Sequence, residues 1–364
     1  MTDVDQGGAA ALIDRKRDHL TICADAEQYR VETASGGAHF AEIHLAHRAL
    51  PELAASEIDP SVDFLGHRCA LPFFISCITG GSERSLVVNR ALATAAQSAG
   101  IAIGTGSFRA AIERPRFLSQ FSIKRWAPDV PYIANISAVQ LRNAGEDVML
   151  DVAHRIEADA LAVHLNVGQE LFQPSGDRDF RDLFDAIRRL CDRSALPIIV
   201  KETGFGLAPT EVRHLLESGV AYVDVSGSGG TNWIAAEAYR LPQGPERAAA
   251  RDFDEWGYPT ALLLAALGDR SGRVIASGGI RSGTDVAKAL ALGAKMAGIA
   301  LPFARTALER GSEGVLALVA EIEISLRATM ILTSSRQISA LDETRIWLEP
   351  SFAAEAKAIA ALSC

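Results

Sequence analysis

The stretch RVIASGGIRSGTDVAKALALGAKMAGIALP (273–302) holds two apolar runs, a glycine-rich turn and an amphipathic segment between them. The runs RVIASGG (273–279) and MAGIALP (296–302) are continuously apolar rather than alternating. That is the pattern of strands buried on both faces of a parallel sheet. Ser282 and Gly283 precede TDVAKALAL and Gly293 closes it, so the unit reads strand, helix, strand. Six further runs of the same kind precede it: LPFFISCIT (71–79), IAIGTG (101–106), PYIANIS (131–137), ALAVHLN (160–166), PIIVKE (197–202) and YVDVSG (222–227). Helical patterns lie between them. Glu83 to Ala99 ends at Gly100, and EVRHLLES, preceded by Thr210, ends at Gly219. Eight βα units predict an α/β fold, a closed (β/α)8 TIM barrel, over the doubly wound open sheet.

The 364 residues suit one large domain or two medium ones. We read residues 1–60 as an N-terminal extension that contributes to substrate binding. Residues 61–340 are the barrel, and 341–364 form an Ala-rich C-terminal tail. The segment 228–272 is a long excursion after the sixth run, of a kind that often serves as a functional lid. Thirty-six Lys and Arg against 45 Asp and Glu give a formal charge of −9. This argues against a nucleic-acid partner but not against a phosphorylated substrate, which a few local cations can hold. Five cysteines (Cys23, Cys69, Cys77, Cys191, Cys364) are an odd number without CxxC spacing, against a zinc site or a disulfide framework. The N-terminus, MTDVDQGGAA, has no long apolar core of a signal peptide. No apolar stretch approaches the ~20 residues of a membrane span. The expectation is a soluble, cytoplasmic protein with no membrane partner.

Barrel active sites form at the C-terminal ends of the strands. The ends of the seventh and eighth runs are the usual phosphate position. There glycines let the backbone approach, a helix N-terminus supplies N–H donors, and Arg281 adds a bidentate contact. The other reading of SGGIRSG is a tight left-handed turn alone. Lys201 ends a buried apolar run, where an unpaired ammonium is costly. It stabilises negative charge on a cofactor, acts as a Schiff-base nucleophile, or pairs with a carboxylate such as Glu202. His164 and Asn166 are two apart and face the barrel mouth together. Gln169 and Glu170 follow, with Glu170 either a Mg²⁺ carboxylate or a partner of Arg178. Arg15, Lys16 and His19 either form a solvated face or fold over the mouth to bind an anion. Cys77 reads as a packing residue.

These strand ends carry a resemblance. RKRDHL (15–20), TGG (79–81), GSFR (106–109), NIS (135–137), HLNVGQELFQPSGDRDF (164–180), VKETGFG (200–206), VSGSGGTNW (225–233) and SGGIRSGTDVAKALALGA (277–294) resemble the motifs of type 2 isopentenyl-diphosphate delta-isomerase. They occur in the family's order. That family is an FMN-dependent barrel enzyme. The resemblance implies FMN contacts from Ile78, Thr79, Gly80, Ser107, Asn135, Lys201, Ser226, Thr231, Gly279, Ile280, Arg281 and the Ala300–Leu301 backbone. It implies diphosphate contacts from Arg15, Lys16, His19, Ser107, Arg109, His164 and Asn166. Gln169 would lie near the alkene, with Gln169 and Lys201 as the catalytic pair, and Glu170 would hold Mg²⁺. Isopentenyl and dimethylallyl diphosphate are the implied substrates, NADPH the reductant of FMN, and a homo-oligomer the implied assembly. Two positions depart from the family: Ile78 stands where Met is usual, and Phe108 where Gln is usual.

Three rivals share parts of this pattern. An FMN-dependent 2-hydroxy-acid oxidase uses a His base in the C-terminal part of the barrel, but His214 is the last of eight histidines. An enzyme resembling IMP dehydrogenase needs a nucleophilic Cys after the sixth strand, where this chain has Gly227-Ser228-Gly229-Gly230-Thr231. A flavin-binding barrel without activity is disfavoured by the full set of polar strand ends.

Overall fold

The computed structural model describes residues 16, 18–32, 37–268 and 271–362. Eight parallel strands close on themselves: β1 Phe73–Ile75, β2 Ile103–Gly104, β3 Tyr132–Ser137, β4 Ala160–His164, β5 Ile198–Lys201, β6 Tyr222–Asp224, β7 Val274–Ser277 and β8 Met296–Ile299. Each apolar run supplies one strand, and β8 pairs with β1 to close the ring. The (β/α)8 TIM barrel expectation holds, and the open sheet is excluded.

Residues two apart on a strand share a face, and this alternation builds the inner wall in layers. The lower layer is apolar: Phe74, Ile133, Ala162, Ile199, Ile275 and Met296 form one buried cluster. Two residues further along the same strands come Ser76, Asn135, His164, Lys201, Ser277 and Gly298, which line a cleft. The wall therefore changes from apolar to polar within one step. The antiparallel hairpin Val62–Phe64 and His67–Cys69 closes the lower end. Its Phe64 ring lies 6.1 Å from that of Phe74 and 5.2 Å from that of Tyr222.

The helices start and stop where the chain supplies caps. Ser82 Oγ accepts from Ser85 N at 3.1 Å to open Glu83–Ala99, and Gly100, at φ 65°, ends it. The helix expected after Thr210 begins earlier, at Pro209, whose fixed φ suits a first turn. Ser282 and Asp285 exchange hydrogen bonds of 3.2 and 3.0 Å in a capping box that opens Gly283–Ala291. Helix Leu301–Leu332 runs on from β8, breaks at Gly311, and packs against Glu83–Ala99 and Gly283–Ala291.

The excursion 228–272 is folded rather than an open loop. It carries helices Trp233–Ala238, Pro245–Ala250 and Thr260–Leu267. The last is almost wholly buried, and the Thr260 hydroxyl donates to Gly278 O at 2.8 Å. The excursion is thus tied to the turn after β7. Strand Ile43–Leu45 pairs antiparallel with Ile346–Leu348, and helix Pro350–Ala360 packs on Thr260–Leu267. Among the described residues no helix is long and apolar enough to cross a membrane.

At Gly283 two helices approach closely. A Cβ there would overlap the backbone of Leu326 and Ile322. Backbone cannot swing aside, so Gly283→Ala should destabilise by about 1–3 kcal/mol, the range for overpacking. Urea unfolding read by circular dichroism checks this. An unchanged midpoint would show that the helices part freely.

Candidate active site

The polar upper layer and the loops above it form one cleft at the C-terminal ends of the strands. Lys201 stands in its floor, 7% exposed, in register with His164 on β4 and Asp224 on β6. Its Nζ donates to Glu202 O at 2.7 Å. The Glu202 carboxylate is turned elsewhere: it accepts from the backbone amides of Gly204 (2.6 Å), Phe205 and Gly206 (3.0 Å). Burial still pushes that carboxyl up to about 7. The side-chain pair Lys201–Glu202 is therefore not formed. Asp224 accepts from Ser277 Oγ at 2.8 Å and Ser226 N at 3.2 Å. Burial raises its carboxyl, and Lys201 opposes the rise. His164 Nδ1 donates to Asn135 Oδ1 at 3.0 Å. Burial, then the charges of Lys201 and Lys16, hold the imidazole neutral down to about pH 3.

The far end of the cleft is the glycine-rich turn. Gly278 and Gly279 have φ of +99° and +75°, and a Cβ on either would overlap the 227–229 backbone. Both must be glycine for the turn to pack as it does. Ala300 and Leu301 line this end at the N-terminus of the long helix. Arg281 donates to Glu32 at 2.5 Å, and Arg305 donates to the other Glu32 oxygen, also at 2.5 Å. Burial acts to raise the Glu32 carboxyl, but the two guanidiniums outweigh it and hold it low. Ile280 departs from expectation. Its side chain is 1% exposed in the hydrophobic core and does not line the cleft.

The near end is covered by the N-terminal segment. Lys16 Nζ donates to Ser107 O at 2.8 Å. His19 Nε2 lies 2.7 Å from Glu237 Oε1, with its ring edge-on to Trp233 at 5.2 Å. Glu237 is fully buried and also accepts from Gln169 Nε2 at 3.0 Å and Arg240 at 2.6 Å. Burial would raise its carboxyl, but His19, Arg240 and Gln169 outweigh burial and hold it at about 2. Asn166 Nδ2 donates to Gln169 Oε1 at 3.1 Å and to Glu170 Oε1 at 3.0 Å. Glu170 Oε2 takes Gln173 Nε2 at 3.2 Å and the Asp177 amide at 2.9 Å. Arg178 binds the Glu170 backbone carbonyl, not the carboxylate. The alternative reading, a surface pair with Arg178, is thus not formed.

The structure brings together Ile78, Thr79, Gly80, Ser107, Arg109, Asn135, Ser226, Thr231, Gly279 and Arg281 with the residues above around one cleft. Arg109 reaches it while donating to Glu113 at 2.6 Å. Arg15 lies outside the described residues. Phe108 is fully buried and does not line the cleft. Glu237 and Arg305 were missed. The only sequence trace of Glu237 is a lone acid in WIAAEAYR (233–240), three residues after Ile234 and so on the same helix face.

The cleft fits the two groups that the resemblance implies. Lys201 has three donors and uses one on protein, which leaves a buried ammonium facing the cleft, suited to an electron-rich ring edge. The turn after β7 and the helix N-terminus at Leu301 suit a phosphate. Glu170 Oε1 accepts one hydrogen bond and keeps lone-pair capacity for a hard cation. Among the described residues no group of three or more His, Cys, Asp or Glu could cage a metal.

Comparison with known proteins adds independent findings. The model of the FMN-dependent dehydrogenase family matches residues 134–348. The isopentenyl-diphosphate delta-isomerase of Halobacterium salinarum is 44% identical over 336 residues, 91% of this chain and 92% of that one. The enzyme of the same name from Borrelia garinii subsp. bavariensis is 37% identical over 346 residues, 94% and 96% of the two chains. Among solved structures, a mutant (S)-mandelate dehydrogenase superposes with TM-score 0.65 at 19% identity, covering 92% of this chain and 99% of the other. A flavocytochrome b2 mutant superposes with TM-score 0.63 at 19% identity, covering 94% and 84%. At those identities the structures speak to the fold alone.

The Glu237 cluster makes stability depend on pH. Its carboxyl is held at about 2, below the ordinary 4.5, so ionisation stabilises the folded state above pH 4.5. That contribution, roughly 3 kcal/mol, is lost as pH falls toward 2. Glu237→Gln should therefore flatten the loss of stability between pH 4.5 and 2. Urea midpoints across that range check it. Parallel curves for the two proteins would contradict the assignment.

Proposed function

The chain belongs to the FMN-dependent, type 2 isopentenyl-diphosphate delta-isomerase family and interconverts isopentenyl and dimethylallyl diphosphate, and we propose the following division of labour among its residues. The reaction moves a double bond without net redox change. It needs a proton delivered to an unactivated alkene and another removed from the neighbouring carbon. Reduced FMN, when bound, supplies an electron-rich ring whose N5 can carry a proton. Lys201 stabilises negative charge on that ring from the barrel floor. The turn at Gly279, the Ile280 amide, Arg281 and the Ala300–Leu301 backbone hold the phosphate of FMN. Ile78, Thr79, Gly80, Ser107, Asn135, Ser226 and Thr231 flank the ring and its chain.

The diphosphate binds at the near end, to Lys16, His19, Ser107, Arg109, His164 and Asn166, with Arg15 joining from the extension. In this reading residues 1–60 are the substrate-binding extension, 61–340 the flavin barrel and 341–364 a tail. Glu170 would hold Mg²⁺, which when bound would supply charge stabilisation to the diphosphate. Gln169 faces the alkene, and Glu237 fixes its amide by accepting from Nε2. With Glu237 ionised, the proton of the His19–Glu237 pair rests on His19 Nε2. The observation that carries the reading is the Asn166 amide, which donates to both Gln169 and Glu170. It locks the alkene-side amide to the metal-side carboxylate, so both are positioned by one group. NADPH is the proposed reductant, and a cytoplasmic homo-oligomer the proposed form. Both rest on the family resemblance.

The oxidase alternative lacks its base, since no His follows His214. The curated relatives of high coverage carry the isomerase name.

Two outcomes test this. With 5-deazaFMN, in which carbon replaces N5, turnover should be abolished although the flavin still binds; normal turnover would remove N5 from the mechanism. Glu170→Gln should raise the Mg²⁺ needed for half-maximal rate by at least about tenfold while FMN binding is unchanged. An unaltered Mg²⁺ requirement would place the metal elsewhere.

A further inference from the structure

One buried carboxylate beside the Lys201 floor, itself not lining the cleft, has no part in the chemistry above. Asp224 ends β6, is 1% exposed, and stands two residues beyond Tyr222 on the inward face. Lys201 is its register partner on β5. Ser277 Oγ, from β7, donates to one oxygen, and the Ser226 amide donates to the other. Gly298 on β8 is the register partner of Ser277, and a Cβ there would overlap the Ser277 hydroxyl. Four consecutive strands thus combine to seat a single acid beside a single ammonium. A carboxylate buried this completely is expensive as scaffold. Asp224 and Lys201 act on each other electrostatically, yet Lys201 spends its hydrogen bond on Glu202 O. The ammonium therefore keeps donors for a ligand while the acid stands behind it and weakens the field that the ligand meets.

We propose that Asp224, held by Ser277, is a positioning residue: the counter-charge to Lys201 that sets how far the site favours reduced over oxidised flavin. Lys201 alone would bind an anionic reduced ring too strongly relative to the oxidised one. Burial favours the neutral acid, while Lys201, the Ser277 hydroxyl and the Ser226 amide favour the ionised one; in its ionised form Asp224 lowers that preference. Losing the charge, or the hydroxyl that supports it, shifts the balance toward the reduced form. The inference rests on the assignment of Lys201 to the flavin, and the experiment separates the two.

Asp224→Asn, Ser277→Ala and Lys201→Met would be reconstituted with FMN and titrated anaerobically with dithionite against a reference dye, without substrate. Asp224→Asn should raise the midpoint potential by at least the equivalent of a tenfold change in relative affinity, about 30 mV for a two-electron couple. Ser277→Ala should move it the same way by less, and Lys201→Met should lower it. An unchanged or lowered potential in Asp224→Asn, with Lys201→Met still lowered, overturns the role of Asp224 and leaves the flavin assignment standing. An unchanged potential in Lys201→Met overturns that assignment and the inference with it. If Asp224→Asn fails to fold, Ser277→Ala decides: an unmoved potential overturns the inference.

Discussion

Lys201 carries a positive charge into the upper layer of a barrel whose lower layer is apolar, and the mouth is arranged around that charge. A buried ammonium is unfavourable unless it is hydrogen-bonded and balanced. Protein supplies one acceptor, Glu202 O, and two nearby acids, Glu202 and Asp224. The same charge helps keep His164 neutral on the adjacent strand. The floor therefore sets one ammonium beside a neutral imidazole. Oriented charge prepared before the ligand arrives costs no reorganisation during the reaction.

The near end of the cleft follows a different logic. Glu237 is an ionised acid with no exposure, tolerated because His19, Arg240 and Gln169 all turn toward it. These partners come from the N-terminal segment, the excursion after β6 and the helix after β4. The cluster is therefore a junction of three separate pieces of chain. It draws the N-terminal segment onto the barrel and fixes the Gln169 amide. Asn166 extends the junction to Glu170. Proximity effects of this kind need atoms held to a fraction of an ångström, which a junction of hydrogen bonds provides.

The barrel was legible because its strands are buried on both faces and read as unbroken apolar runs. Their polar ends were legible as well, since period-2 alternation places His164 and Asn166 on one face. Ile280 follows a double glycine and turns its side chain into the core, so only its backbone faces the turn. Glu237 and Asp224 were not legible as functional residues. Glu237 lies in a stretch that reads as excursion, and its partners are 68 and 218 residues away in sequence. Asp224 is one acid in an apolar run, and only the register of β5 to β8 reveals its neighbours. Lys201 was legible as an anomaly, but its separation from the Glu202 carboxylate required coordinates. The helix from Pro209 began earlier than expected because proline favours a first turn over a loop.

The central claim is that this barrel isomerises isopentenyl diphosphate with reduced FMN at the Lys201 floor. The most direct test is dimethylallyl diphosphate formation by the purified protein without oxygen, with FMN, Mg²⁺ and isopentenyl diphosphate, comparing reduced with oxidised flavin. Product with reduced FMN and none with oxidised FMN is the predicted result. Equal rates in both states, or none in either with FMN fully bound, would contradict it.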